Sequence, residues 1–268
     1  PLILAALIDA VSWRTALWVM AAATGIGFAL LALVCARDTP ESCGLLPDGE
    51  RHDDDRRVRG APSSLPQNAT LAEARRTAVF WIYSLSLATY SLTGTAVTFH
   101  VVDIFEGAGR TRDEAFGYFL PLAAVSVSVN LLTSWWSDRA SLKPLLLVML
   151  MGFIIGCAGL AYLHTPVGFH TVIVGFGVGA GIWAALSSLA YVRFFGRLHL
   201  GEISGSAVSL SVAGSAIGPA LFSAGKDFTG SYTAVAWLCC ATFCGLLLSG
   251  ACVVKRDAPP VRSVSAHA

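Results

Sequence analysis

The side chains with most chemistry to offer share one stripe. Tyr83, Ser86, Tyr90, Thr93 and His100, with Val97 completing the row, are spaced 3, 4, 3, 4 and 3 residues apart. That spacing puts them on one face of a helix. Asp103 follows His100 by three residues. An imidazole beside a carboxylate can take up and release a proton near neutral pH. The same pair also fits a solvated helix end. Further along stand Asn130, on one face with Ser126, Thr133 and Ser137, and then Trp183, Ser187 and Tyr191 on an i, i+4, i+8 line. Such groups hydrogen-bond either a passing solute or a neighbouring helix. No nucleophile stands with a base, and no His, Cys or carboxylate set has ligand spacing. The chain is therefore not expected to be an enzyme, and no metal or other cofactor is expected.

The elements that must position these groups are long and apolar. Uncharged runs occupy 15–35, 77–99, 116–136, 144–163, 171–192, 203–225 and 231–254. Each is close to the roughly 20 residues that a helix needs to cross a bilayer. Charged residues make up 13% of the chain, about half the usual share of a soluble domain. A lipid bilayer is the expected surrounding, and a net charge of +1 points to no nucleic-acid partner. A polar stripe in such a helix faces a cavity or another helix, not lipid. Gly175, Gly177, Gly179 and Gly181 lie inside an apolar run with no strand before them. They read as close helix contacts and not as a phosphate loop. Six of the seven cysteines lie within or at the ends of apolar runs, which argues against a disulfide framework.

Charge orients the spans. If they alternate across the membrane, one side carries fourteen of the 18 Lys and Arg, including Arg37, Arg75, Arg76, Arg139, Lys143, Arg193 and Arg197. The other side carries Arg14, Arg110, Arg112 and Lys226. The positive-inside rule then places the 37–76 segment and the C-terminus in the cytoplasm. That segment holds Pro40, Pro47, Pro62, Pro66 and an acidic run at Asp53-Asp54-Asp55, the composition of a solvated linker. Asp138 and Arg139 sit in a short loop on the same side. With Arg193 and Arg197 nearby in topology, they form a candidate gate that latches in one state and opens in another. The alternative is plain topology charge.

An internal echo completes the layout. Pro1, Ala6, Asp9, Thr15 and Ala16 match Pro219, Ala224, Asp227, Thr233 and Ala234, each 218 positions later. Both copies run from the end of one apolar segment into the next. A parallel repeat of this kind relates the two halves of one large transporter architecture. The run at 1–8 is too short to span a bilayer, so it is expected to be the end of a helix that begins upstream.

Local motifs agree with that architecture. Ser134-Trp135-Trp136-Ser137-Asp138-Arg139 resembles the G-x-x-x-D-R loop of the major facilitator superfamily, with Ser where Gly is usual. Gly218-Pro219 resembles the superfamily's Gly-Pro helix motif. Phe194-Phe195-Gly196-Arg197, Asp227-Phe228-Thr229-Gly230 and Arg37-Asp38-Thr39-Pro40-Glu41 look like its bacterial monocarboxylate-transporter-like branch. The resemblance implies an all-α membrane protein of twelve helices in two halves, truncated here at its N-terminus. Residues 1–36 would end the N-terminal half with the remnant of helix 5 and helix 6. Residues 37–76 would be the cytoplasmic linker, 77–256 the six-helix C-terminal half (helices 7–12) and 257–268 a cytoplasmic tail.

The function so implied is secondary active transport of a small organic solute across the cell (inner) membrane by alternating access. A monocarboxylate and proton symport are the finer expectations. The missing N-terminal helices would supply the other wall of the site. Tyr83, Tyr90, Thr93, Asn130, Trp183 and Ser187 would line the solute path, and His100 with Asp103 would couple protons. Carboxylate carriers of related branches place a charged residue in helix 8 or helix 11. Here helix 8 offers Asn130 and helix 11 only serines. The countercharge for an anion would then come from the missing half. The rival expectation is a non-transporting fragment that packs against or regulates a partner.

Overall fold

The computed structural model describes residues 7, 8, 10–35, 69–137 and 141–253. The chain divides into two units, 1–61 and 62–268. Residues 37–68 of the linker expected at 37–76, the loop residues Asp138 and Arg139, and residues 254–268, with the expected tail at 257–268, lie outside the described residues.

The first unit contributes α1, Trp13–Cys35. Ser12 starts it, accepting a hydrogen bond from the Thr15 amide at 3.3 Å, the usual service of a serine before a first turn. Thr24 turns its hydroxyl back to the Met20 carbonyl at 2.7 Å. That internal bond satisfies the one polar side chain in mid-helix where water is scarce.

The elements of the second unit, among its described residues, are all helices. Thr70 and Glu73 form a reciprocal capping box that opens the short α2, Leu71–Ala74. Thr77 caps α3, Ala78–Phe99, which ends at His100 and passes into α4, Val101–Gly107. A second capping box, Thr111 with Glu114, starts α5, Arg112–Gly117, and α6 follows at Phe119–Ser137. Next come α7, Leu142–Ala161, and α8, Pro166–Phe195, with Thr165 as N-cap and Pro166 in the first turn. That is where proline's missing N–H does no harm. The helix α9, Leu200–Thr229, carries Pro219 in its interior and stops at Gly230, whose φ of 76° closes a left-handed cap. The last is α10, Thr233–Val253.

Among the described residues, six spans are long and apolar enough to cross a membrane. The helix α3 matches them in length but falls outside that set, because Ser, Thr and Tyr dilute its hydropathy. The polar side chains responsible are largely hidden from lipid: Ser84, Ser86 and Thr93 are fully buried. Partner helices, not hydropathy, make α3 acceptable in the bilayer.

Packing within a bilayer rests on close contact, since lipid is as apolar as leucine. The principal pairs are α7 with α8, α3 with α9, α6 with α8 and α7 with α10. Glycine sets the closest of them. A Cβ on Gly175 of α8 would lie 2.7 Å from the Gly156 Cα and 2.8 Å from the Gly152 carbonyl oxygen of α7. The short α2 is tied down by the Ala69 amide to the Phe195 carbonyl at 3.1 Å and by Arg75 to the Ser206 hydroxyl at 2.9 Å.

Candidate functional site

Four helices line one cavity, and of the six expected path residues Tyr90 and Trp183 reach it, while Tyr83, Thr93, Asn130 and Ser187 do not. The helix α3 supplies Tyr90, the start of α6 supplies Phe119, α8 supplies Trp183 and α9 supplies Ser215. The space they enclose is about 780 Å³. A second cavity of about 360 Å³ adjoins it, sharing Ser91, Trp183 and Ser215 and extending to Ser187, Tyr191 and Ser211. Pro219 leaves the Ser215 carbonyl without its helical donor, and the Ser215 hydroxyl donates to the Ser91 carbonyl of α3 at 3.4 Å. Trp183 is fixed by its ring N–H, which donates to the Leu87 carbonyl at 3.3 Å. Tyr90 is stacked on Phe153, centroids 4.4 Å apart with planes 10° apart.

The rest of the stripe lies deeper. Tyr83 is buried with its ring 5.2 Å from that of Phe194. Ser86 and Thr93 are buried and donate back to their own helix, to the carbonyls of Ile82 at 2.6 Å and Thr89 at 2.9 Å. Asn130 reaches from α6 to the Gly181 carbonyl of α8 at 3.1 Å. It reinforces a contact where a Cβ on Gly181 would sit 2.5 Å from the Ser126 carbonyl oxygen. Ser187 lines the smaller cavity while its hydroxyl donates to the Ala184 carbonyl at 2.9 Å. Ser84, one position off the stripe, meets the Tyr191 hydroxyl at 2.9 Å.

His100 and Asp103 belong to a larger polar group beyond the end of α3. The His100 Nε2 lies 3.0 Å from the Pro219 carbonyl oxygen. A carbonyl only accepts, so this nitrogen carries the proton. The Lys226 ammonium donates to both Asp103 oxygens, at 2.7 and 2.6 Å, and the Tyr232 hydroxyl donates to Oδ2 at 2.5 Å. Lys226, then Tyr232, hold the Asp103 carboxyl below the usual carboxylate range. Burial, then the adjacent carboxylate, push the Tyr232 phenol up. The His100 and Tyr232 rings lie 5.6 Å apart. A cavity of about 220 Å³ opens beside the group, lined by Asp103, Lys226, Tyr232 and His164 among others.

The candidate gate is described only in part. Arg193 donates to the Ser137 carbonyl at 2.9 Å, next to the loop that holds Asp138 and Arg139. Arg197 is exposed in the turn between α8 and α9.

Lys226 and Tyr232 were missed in the sequence as site residues, as were the cavity aromatics Tyr118, Phe119 and Phe176. One signal was present: Lys226 is the single cation in the stretch 200–229. A cation at the end of an apolar span is a functional candidate with a partner to be found. The family model described as Major Facilitator Superfamily matches residues 1–219. Comparison with curated proteins gives no match.

Proposed function

Since the chain belongs to the major facilitator superfamily, whose members are membrane transporters, we propose that it moves a small organic solute by alternating access with proton coupling. The observation that carries this reading is the cavity shared by α3, α6, α8 and α9. Aromatic and hydroxyl side chains converge there from helices that otherwise present apolar faces. Such a mixture suits reversible binding of a solute that must enter and leave. The complementary wall comes from the N-terminal half of the superfamily architecture, and rocking of the two halves exposes the site to either side.

A monocarboxylate is the proposed solute class, and His100 the proposed proton carrier. Asp103 is already committed to Lys226 and Tyr232, so it serves as a fixed negative charge beside the imidazole. His100 also bonds the α9 backbone at Pro219, the proline inside that helix. A change in imidazole charge is thereby coupled to the helix backbone at Pro219. The linker and C-terminus are proposed to be cytoplasmic on the charge distribution alone.

The test is uptake by the reconstituted full-length protein. A panel of monocarboxylates is offered with and without an imposed inward proton gradient. Accumulation that collapses on adding a protonophore is expected. Uptake indifferent to the gradient would remove proton coupling from the proposal, and no uptake of any acid would remove the solute class.

A further inference from the structure

The two adjoining cavities carry a statement about the solute, resting on the reading of them as its path. Six residues lining the larger one are aromatic: Tyr90, Phe99, Tyr118, Phe119, Phe176 and Trp183. Its polar lining consists of hydroxyls, from Ser91, Thr95, Thr98 and Ser215 together with Tyr90 and Tyr118. Among the described residues no Asp, Glu, Lys, Arg or His lines either cavity.

The rings form fixed surfaces. Tyr90 and Trp183 have centroids 5.3 Å apart at 57°, and Tyr118 and Phe119 are 4.4 Å apart at 48°. Phe153 backs Tyr90, and the Leu87 carbonyl holds the Trp183 ring N–H. Fixed aromatic faces and edges favour another ring through offset and edge-to-face contact, beyond the area that is covered. An aliphatic group of equal size gains only the area. A cavity of about 780 Å³ is also of the size that takes drug-sized molecules, and an acid of two or three carbons would leave most of it unfilled.

We propose that the transported solute is an aromatic or heteroaromatic carboxylate that places its flat ring in this cavity. Ring hydroxyl or amide substituents meet Ser91, Thr95 and Ser215. The carboxylate stays outside this lining, because an anion buried among rings and hydroxyls with no cation would be strongly disfavoured.

The experiment compares three acids in vesicles holding the full-length protein, with the flux into protein-free vesicles subtracted. Benzoate has a flat ring, cyclohexanecarboxylate has a ring of similar size that is neither flat nor aromatic, and pyruvate has no ring. Benzoate is expected to half-saturate uptake at a concentration about two- to tenfold below that of cyclohexanecarboxylate, the range that one aromatic contact confers. Trp183→Leu is expected to erase that preference and Trp183→Phe to keep it. Tyr90→Leu serves in place of the former variant if that one does not fold. Equal half-saturation by the two ring acids, or uptake of pyruvate alone, overturns the aromatic inference and leaves the transport reading intact. Uptake of none of the three overturns the aromatic inference together with the proposed carboxylate class.

Discussion

Lys226 donates to both carboxylate oxygens of Asp103, at 2.7 and 2.6 Å, across 123 residues of sequence. The link joins α4 to α9 on the far side of Pro219, and Tyr232 adds a third donor from the turn before α10. Both partners are partly exposed, with 40% of the Lys226 and 49% of the Asp103 side chain reached by solvent. Solvent screening therefore limits the link to about 1 kcal/mol or less. Asp103→Asn is expected to lower Tm at neutral pH by about 1–3 °C. Because the folded carboxyl lies below its ordinary value, the stabilisation is present above about pH 4. It disappears as pH falls through the lowered folded value. Melting of wild type and variant across that range checks this: the gap should close in acid, and a gap that widens would contradict the sign.

The imidazole of His100 has two separable roles: it donates to the Pro219 carbonyl at 3.0 Å, and it is the proposed proton carrier. Glutamine keeps a donor and loses the titration. His100→Gln is expected to retain uptake at a single neutral pH while flattening its dependence on pH, whereas His100→Ala loses both. The groups facing the ring are Asp103, Lys226 and Tyr232. The profile is therefore compared in the Asp103→Asn background as well. An unaltered pH profile in His100→Gln would exclude this residue as the proton carrier.

Among the described residues, Arg110 makes the densest side-chain staple. Its guanidinium donates to the Leu163 carbonyl at 2.6 Å, the Thr165 carbonyl at 2.7 Å and Glu114 at 2.7 Å, and it lies 4.6 Å from the centroid of the Phe169 ring. Only 13% of it is exposed. Three acceptors lie around one planar fork, which a lysine's single ammonium cannot match. Arg110→Lys is expected to destabilise by about 2–3 kcal/mol, mostly from buried carbonyls left without donors. Thermal unfolding in detergent measures it, and a loss within error of zero would mean that water replaces the guanidinium freely.

How far the sequence anticipated all this depends on whether the information was local. The apolar runs became helices. The run at 171–192 grew to Pro166–Phe195 because Thr165 and Pro166 form a starting signal ahead of it. The run at 203–225 continued to Thr229 straight through Pro219. The stripe of α3 was legible as one face, because a 3.6-residue period fixes it. Which members of that face meet a cavity was not legible. Tyr90 reaches one while Ser86 and Thr93 turn back to carbonyls a turn earlier. That choice belongs to neighbouring helices. The same holds for Lys226 and Asp103, whose pairing depends on how α9 slides along α3, and for Asn130, whose partner is a glycine carbonyl with no side-chain signature.

Gly94 sits one turn beyond Tyr90 on α3, and a Cβ placed there would lie 3.3 Å from Cε2 and 3.4 Å from Cζ of the Tyr90 ring. That is slightly too close, so the ring must give way by a few tenths of an ångström. It cannot move toward Phe153, which is already stacked on it at 4.4 Å. The remaining freedom is toward the cavity that Tyr90 and Gly94 both line. Helix propensity favours alanine over glycine by about 0.5–1 kcal/mol, which offsets the crowding. Gly94→Ala is therefore expected to leave Tm within about 2 °C of wild type. It is also expected to raise KM for solute about two- to tenfold, as one misplaced ring contact would, with little change in kcat. A KM effect without a kcat effect marks binding lost equally from ground and transition states. Uptake kinetics and melting on the same reconstituted preparation decide it. An unchanged KM with a folded variant would place the solute away from Tyr90.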